Sequence, residues 1–245
     1  DLYPQLHALR YPKAGENNAK ATVCVYDIYY KTIRTMQLSE KYDGYIPRIR
    51  WTQLSKPTKK DEQPTCDLML LHVNRDQNTI EVLKGNPKST VCHLFYSEQS
   101  NKYFVNYELF DEWQWLSDNR VIVLSEKAGY TQAYLYSAQG VEQKILTPEK
   151  RDITRIYGYD EKLGILYYQA APTPMTRQAY AINLKKNTTT QLTQGEGTHN
   201  LRFSKDYKQY IDCYQNLSTP NVYTLYAKGG TSRLILDNDS VLQAW

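Results

Sequence analysis

Five leucines set the register of this chain. Leu38, Leu94, Leu146, Leu192 and Leu236 each close a short β-prone segment, at spacings of 56, 52, 46 and 44 residues. Between them the same order of segments returns. Trp113-Gln-Trp-Leu-Ser leads into Val121-Ile-Val-Leu-Ser, Gln132-Ala-Tyr-Leu-Tyr-Ser and Glu142-Gln-Lys-Ile-Leu-Thr. Ile156-Tyr-Gly-Tyr, Ile165-Leu-Tyr-Tyr, Gln178-Ala-Tyr-Ala-Ile and Thr189-Thr-Gln-Leu-Thr repeat that order. Leu201-Arg-Phe-Ser, Gln209-Tyr-Ile-Asp, Asn221-Val-Tyr-Thr-Leu-Tyr and Ser232-Arg-Leu-Ile-Leu repeat it again. A looser copy runs through Arg48-Ile-Arg-Trp-Thr, Asp67-Leu-Met-Leu-Leu, Thr79-Ile-Glu-Val-Leu and Thr90-Val-Cys-His-Leu. Thr22-Val-Cys-Val-Tyr-Asp and Thr32-Ile-Arg-Thr-Met-Gln-Leu read as the last two strands of one more.

Helical periodicity is nearly absent. Short alternating runs between Gly, Asn, Asp, Lys and Pro turns indicate strands. A four-stranded unit of about 40–50 residues is the period of a β-propeller blade. The reading is therefore an all-β chain: a partial β-propeller of about four and a half four-stranded antiparallel blades. One domain spans 1–245, with a half blade at 1–40 and blades at 46–96, 113–147, 153–193 and 199–237. An inter-blade extension fills 97–112, and Ser55 to Thr65 is a polar insert containing Pro57 and Pro64. A blade cannot cover its own two faces, so a stack that does not close leaves an apolar face open. Four and a half blades starting mid-blade, from Asp1 rather than a methionine, suggest a piece of a larger ring.

Composition narrows the classes. Apolar residues make up 41% and charged residues 23%, which is globular rather than disordered composition. A scattered net charge of +4 does not indicate a nucleic-acid or anionic-lipid partner. No run approaches the roughly 18 apolar residues of a membrane span. Tyrosine outnumbers phenylalanine 23 to 4, and tyrosine suits half-buried pleated surfaces.

Cys24, Cys66, Cys92 and Cys213 share no CxxC spacing, so a zinc site is not indicated. Two disulfides are arithmetically open, and free, mostly buried thiols are expected. His7, His72, His93 and His199 lie far apart, without metal-ligand spacing. Asp111 and Glu112 are adjacent and cannot flank a scissile glycosidic bond, so a solvated turn is expected. Asp237-Asn-Asp-Ser lacks the glycine and distal glutamate of a calcium loop and reads as a turn. Trp113 and Trp115, two apart, share one strand face and belong to a core. Tyr134, Tyr180 and Tyr223 take the same place in successive third strands. Asn187-Thr-Thr and Asn216-Leu-Ser match the sequon pattern only.

Several strings in order resemble the dipeptidyl peptidase IV family. They are Tyr11-Pro-Lys-Ala-Gly, Asn74-Arg-Asp-Gln-Asn, Ser125-Glu-Lys-Ala-Gly-Tyr, Leu166-Tyr-Tyr, Phe203-Ser-Lys, and Pro220 before Tyr223-Thr-Leu. The resemblance runs from about Asp1 to Asp239. It implies a serine exopeptidase that removes N-terminal dipeptides with proline or alanine second. An eight-bladed propeller would cap a C-terminal α/β-hydrolase domain, with peptide substrate reaching the chamber between them. It further implies extracytoplasmic (periplasmic or secreted) location and possible homodimers; no cofactor is expected.

The nucleophile itself is absent from the sequence. A nucleophile elbow needs Gly-x-Ser-x-Gly, because glycines permit the strained strand-to-helix turn. None of the 11 glycines supplies one. The family's paired, amine-gripping glutamates lie upstream of the Tyr-Pro-Lys-Ala-Gly motif. This chain is thus expected to carry no catalytic residue. Within the extension, Tyr107, Glu108, Leu109 and Phe110 resemble the stretch that helps line the outer substrate subsites. Better-known members carry basic residues here. The competing account of that stretch is a loop packed on its own blade or on the missing partner domain. Two other functions stand beside the peptidase reading. One is a freestanding propeller scaffold for protein contacts. The other is a propeller glycosidase or lectin, disfavoured because no inward acid recurs in the first strands.

Overall fold

The computed structural model describes residues 3–9, 13–39, 44–54, 64–227, 230–238 and 240. Tyr11 and Pro12 of the first motif, residues 55–63 of the insert and Asp239 lie outside them. The described residues are almost entirely β. A two-stranded sheet pairs β1 (Cys24–Asp27) with β2 (Thr32–Thr35). The first four-stranded sheet holds β3 (Gly44–Trp51), β4 (Leu68–Asn74), β5 (Thr79–Gly85) and β6 (Cys92–Gln99). The second holds β7 (Gln114–Trp115), β8 (Val121–Ser125), β9 (Gln132–Tyr136) and β10 (Glu142–Ile145). The third holds β11 (Asp152–Asp160), β12 (Ile165–Ala171), β13 (Gln178–Asn183) and β14 (Thr188–Gln191). The fourth holds β15 (Thr198–Phe203), β16 (Gln209–Asn216), β17 (Thr219–Ala227) and β18 (Ser232–Leu236). Each sheet is an antiparallel meander in which sequence neighbours pair. Successive sheets stack without closing, which makes the fold a partial β-propeller. β6 runs beyond the expected closing segment, pairing Gln99 with Thr79, so its fourth strand ends five residues after Leu94.

Strict alternation of side chains across a strand explains the stack. In β8, Val121 and Val123 enter one core while Ile122 and Leu124 enter the next. In β9, Tyr134 and Tyr136 face the first of these cores, and Ala133 and Leu135 the second. In β4, Met69, Leu71 and Val73 join the core shared with β8, while Leu68 and Leu70 pack with Val23 and Met36. Strands β8 and β9 are therefore buried along their whole length, and β4 and β12 along most of theirs, because both faces are covered. Outer strands β10, β14 and β18 are exposed throughout. Charged and hydroxyl-bearing residues there, such as Lys144, Thr188 and Arg233, protect the sheet edges. The seam between the last two sheets is aromatic instead of aliphatic. Phe203 lies 4.6 Å from Tyr167, 5.2 Å from Tyr210 and 5.8 Å from Tyr157, centroid to centroid.

In the second and third sheets a Leu-Thr pair stitches the end of the outer strand to the strand before it. Leu146 N–H donates to Ala133 O, and Leu192 N–H donates to Ala179 O, both at 2.8 Å. The next residue returns the favour to the same alanine: Ala133 N–H donates to Thr147 Oγ1 and Ala179 N–H to Thr193 Oγ1, both at 2.9 Å. Gln132 and Gln178 then donate side-chain bonds to Glu149 O and Gly195 O. Four sequence landmarks, offset by 46 residues, thus make one repeated hydrogen-bond set.

All four cysteines are free, but the expectation of mostly buried thiols needs correcting. Cys24 is exposed, and Cys66, Cys92 and Cys213 are half-buried. Val25 and Asp212 face inward, so alternation puts Cys24 and Cys213 on the outer faces of the end sheets. Partial burial raises the Cys92 thiol above its ordinary pKa.

One glycine is required by its neighbour. Gly140, in the β9–β10 turn, has φ +80°, and an added Cβ would sit 1.9 Å from the backbone oxygen of Phe95 in β6. Gly140→Ala is expected to destabilise the chain by more than about 1 kcal/mol, because the left-handed backbone and the clash both oppose it. Urea denaturation checks this; an unchanged midpoint would contradict it.

Candidate functional site

The connection from β6 to β7 is built around a six-residue 3-10 turn, Tyr107–Glu112. Asn106 caps it, its side-chain oxygen accepting from Glu108 N–H at 3.2 Å. At the far end Trp113 N–H donates to Phe110 O at 3.2 Å. A 3-10 turn has three residues per turn, so positions i and i+3 eclipse and the turn has three faces. Tyr107 and Phe110 form the face against the core shared by β4 and β8. Leu109 and Glu112 form the face towards the next seam, where Leu109 packs on the second core. Glu108 and Asp111 form the exposed face.

This arrangement divides the four expected lining residues. Phe110 is 2% exposed and lies 5.1 Å from Trp113, so it is a core anchor and cannot line an open subsite. Leu109 is half-buried against the second core. Tyr107 is half-buried too, but it also borders a cleft of about 410 Å³ with Ala19, Ala21, Tyr45, Pro47 and Gln77. Glu108 is exposed beside it. Tyr107 and Glu108 are the accessible pair.

Asp111 is in an exposed turn, as expected, but Glu112 is half-buried, and both residues also act as anchors. Arg48 Nε–H is shared between the two Asp111 carboxylate oxygens, at 2.9 and 3.2 Å. Arg50 Nη1 donates to Trp113 O at 3.2 Å, and Gln53 Nε2 to Trp115 O at 2.8 Å. Glu112 Oε2 accepts from Ile156 N–H of β11 at 2.9 Å. First strands have one unpaired edge in these sheets, so their backbone groups there are open to such partners. The turn is thereby tied to β3, continuous with β7 and bonded to β11, the first strands of three successive sheets. Sequence reasoning missed Arg48 and Arg50. Their signal is two arginines on one strand face with no acid opposite them in their own block.

Other candidates resolve structurally. Trp113 is 1% exposed and Trp115 packs against the same core, their rings 6.4 Å apart. Tyr134 and Tyr180 are buried, and Tyr223 is half-buried in β17. His199 Nδ1 lies 2.7 Å from Asp212 Oδ2, both residues 4% exposed. Across the aromatic seam, Gln169 Nε2 donates to His199 O, and Tyr157 O–H accepts from Leu201 N–H. Burial pushes the Tyr157 phenol up to about 12, so it stays protonated at neutral pH. His72, also buried, sits 3.4 Å from Glu81. Among the described residues, no three His, Cys, Asp or Glu side chains converge as metal ligands. Asn238 follows β18 in a left-handed turn and donates to Asn221 O. Asn187 is exposed at the β13–β14 turn, whereas the Asn216 amide donates to Tyr214 Oη at 2.8 Å.

Stacked four-stranded meanders whose first strands neighbour one another make this chain a partial propeller. The model for the dipeptidyl peptidase IV (DPP IV) N-terminal region matches residues 1–221. The chain belongs to that family. It is 24% identical to a probable dipeptidyl peptidase 4 of Aspergillus flavus, over 98% of this chain and 32% of the relative. The crystal structure of Porphyromonas gingivalis dipeptidyl peptidase 4 superposes with a TM-score of 0.80 at 30% identity, over 96% of this chain and 32% of that one. A Bacteroides ovatus structure, 20% identical, shares the fold with a TM-score of 0.68 over 94% of this chain and 34% of its own. The chain spans about a third of the length of the relatives it matches. Among its described residues no helix is long and apolar enough to cross a membrane.

Proposed function

We propose that this chain is the non-catalytic propeller part of a dipeptidyl-peptidase-IV-like serine exopeptidase. It walls the substrate chamber, limits access to short or unfolded peptides and presents Tyr107 and Glu108 to the bound peptide. Bond breaking belongs to a C-terminal α/β-hydrolase domain of the same parent. The parent works outside the cytoplasm, as a periplasmic or secreted enzyme, and homodimers fit the same reading. The observation that carries the proposal is the anchored turn at the cleft: Phe110 is sunk in the core while Tyr107 and Glu108 stay accessible. A fixed aromatic face suits a peptide side chain, and a carboxylate suits a peptide N–H or ammonium group.

Two measurements test this. This chain alone should release no dipeptide from a Xaa-Pro chromogenic substrate, while the full-length parent should. In the parent, Tyr107→Ala should raise KM roughly tenfold with kcat nearly unchanged, the pattern of lost uniform binding. Activity in the isolated chain, or an unchanged KM, contradicts the proposal.

A further inference from the structure

We propose that Arg48 and Asp111 are positioning residues whose ion pair fixes where Tyr107 and Glu108 meet the peptide. This rests on the reading of Tyr107 and Glu108 as peptide contacts. The turn has little internal means of holding its pose. Its backbone bonds include Leu109 N–H to Asn106 O at 3.4 Å and Trp113 N–H to Phe110 O at 3.2 Å. Short 3-10 turns are weak on their own because their hydrogen-bond geometry is poor. Phe110 and Leu109 sink two faces of the turn into cores and Glu112 ties it to β11, which leaves the outward face of Glu108 and Asp111 to be held. That outward face is held from outside. Arg48 grips Asp111 on the exposed face, and its guanidinium also stands 5.9 Å from the Tyr107 ring centroid. One side chain therefore touches both the anchor and the presenting residue. The same cation offsets the negative charge of Glu108, which interacts with it favourably.

Exposure separates this role from plain stabilisation. The Arg48 and Asp111 side chains are 38% and 52% exposed. Exposed ion pairs contribute little to folding stability. Removing the pair should leave the fold standing on Phe110, Leu109 and Trp113 while the outer face of the turn shifts. Displacements of about 1 Å are enough to cost large factors in productive binding.

The test uses the full-length parent with peptide substrates, taking Arg48→Gln, Asp111→Asn, their double variant, and the reversed pair Arg48→Asp with Asp111→Arg. Each single variant should raise KM roughly five- to tenfold, with kcat within about twofold. The double variant should be no worse than either single, because the two residues act as one unit. The reversed pair should recover part of the loss, and thermal midpoints should stay within about 2 °C of the parent. Unchanged KM in both singles, with Tyr107→Ala still impaired, overturns the positioning role alone. Unchanged KM in Tyr107→Ala as well overturns the underlying reading. A fall in midpoint well beyond 2 °C together with a fall in kcat, and no recovery of KM in the reversed pair, also overturns the proposal, since it marks a purely structural pair.

Discussion

Trp113→Ala should cost this chain about 3–5 kcal/mol, the range for removing a large aromatic from a packed core. Trp113 is 1% exposed and meets Tyr96 and Phe110 at centroid distances of 5.1 Å each, edge-on to the tyrosine. It holds the seam between the β3–β6 and β7–β10 sheets and also ends the 3-10 turn. For a domain of this size each kcal/mol moves the melting point by about 2–4 °C, so a fall of roughly 6–20 °C is expected. Among the described residues the buried indole N–H has no hydrogen-bond partner. Trp113→Phe therefore loses volume but no hydrogen bond and should recover much of the difference. Calorimetry on both variants checks this; a small shift for the alanine variant would show that the seam collapses around the gap.

The second large effect is expected at the opposite end of the stack. His199→Ala should destabilise by about 3–5 kcal/mol, because breaking a buried pair leaves its partner uncompensated. A carboxylate only accepts, so His199 Nδ1–H is the donor in the 2.7 Å contact with Asp212. The other Asp212 oxygen, Oδ1, is buried and has no hydrogen-bond partner among the described residues. The imidazole also lies 4.6 Å from the Tyr214 ring, so its packing is lost as well. A double-mutant cycle with Asp212→Ala should show coupling above about 0.5 kcal/mol, the double costing less than the sum of the singles. Strict additivity in urea denaturation would mean that the two side chains do not support each other.

What could be read from the sequence was whatever repeats or alternates. Period-two patterns locate the strands, and the closing leucines set the register because Leu146 and Leu192 are themselves stitches at Ala133 and Ala179. Trp113 and Trp115 were legible as core by the same parity. What was not legible is how one block meets another. Arg48 and Asp111 are 63 residues apart, and Glu112 and Ile156 are 44 apart. Parity assigns a side chain to a face but says nothing of which long-range partner stands opposite. The burial of Phe110 is hidden in the sequence for a different reason. The stretch from Tyr107 to Glu112 follows a period of three, and its faces appear only when that period is applied.

The alternation of β8 has one more meaning. Val123 and Leu124 are covalent neighbours, yet their side chains enter separate cores. Chain adjacency and packing adjacency are decoupled along such a strand. A sheet in this position is a partition wall: what is rearranged on one side of it reaches the other only through the stiff backbone between. Each seam can be remodelled as a compartment of its own, which allows an aliphatic interior to sit next to the tyrosine-rich one without either having to match the other.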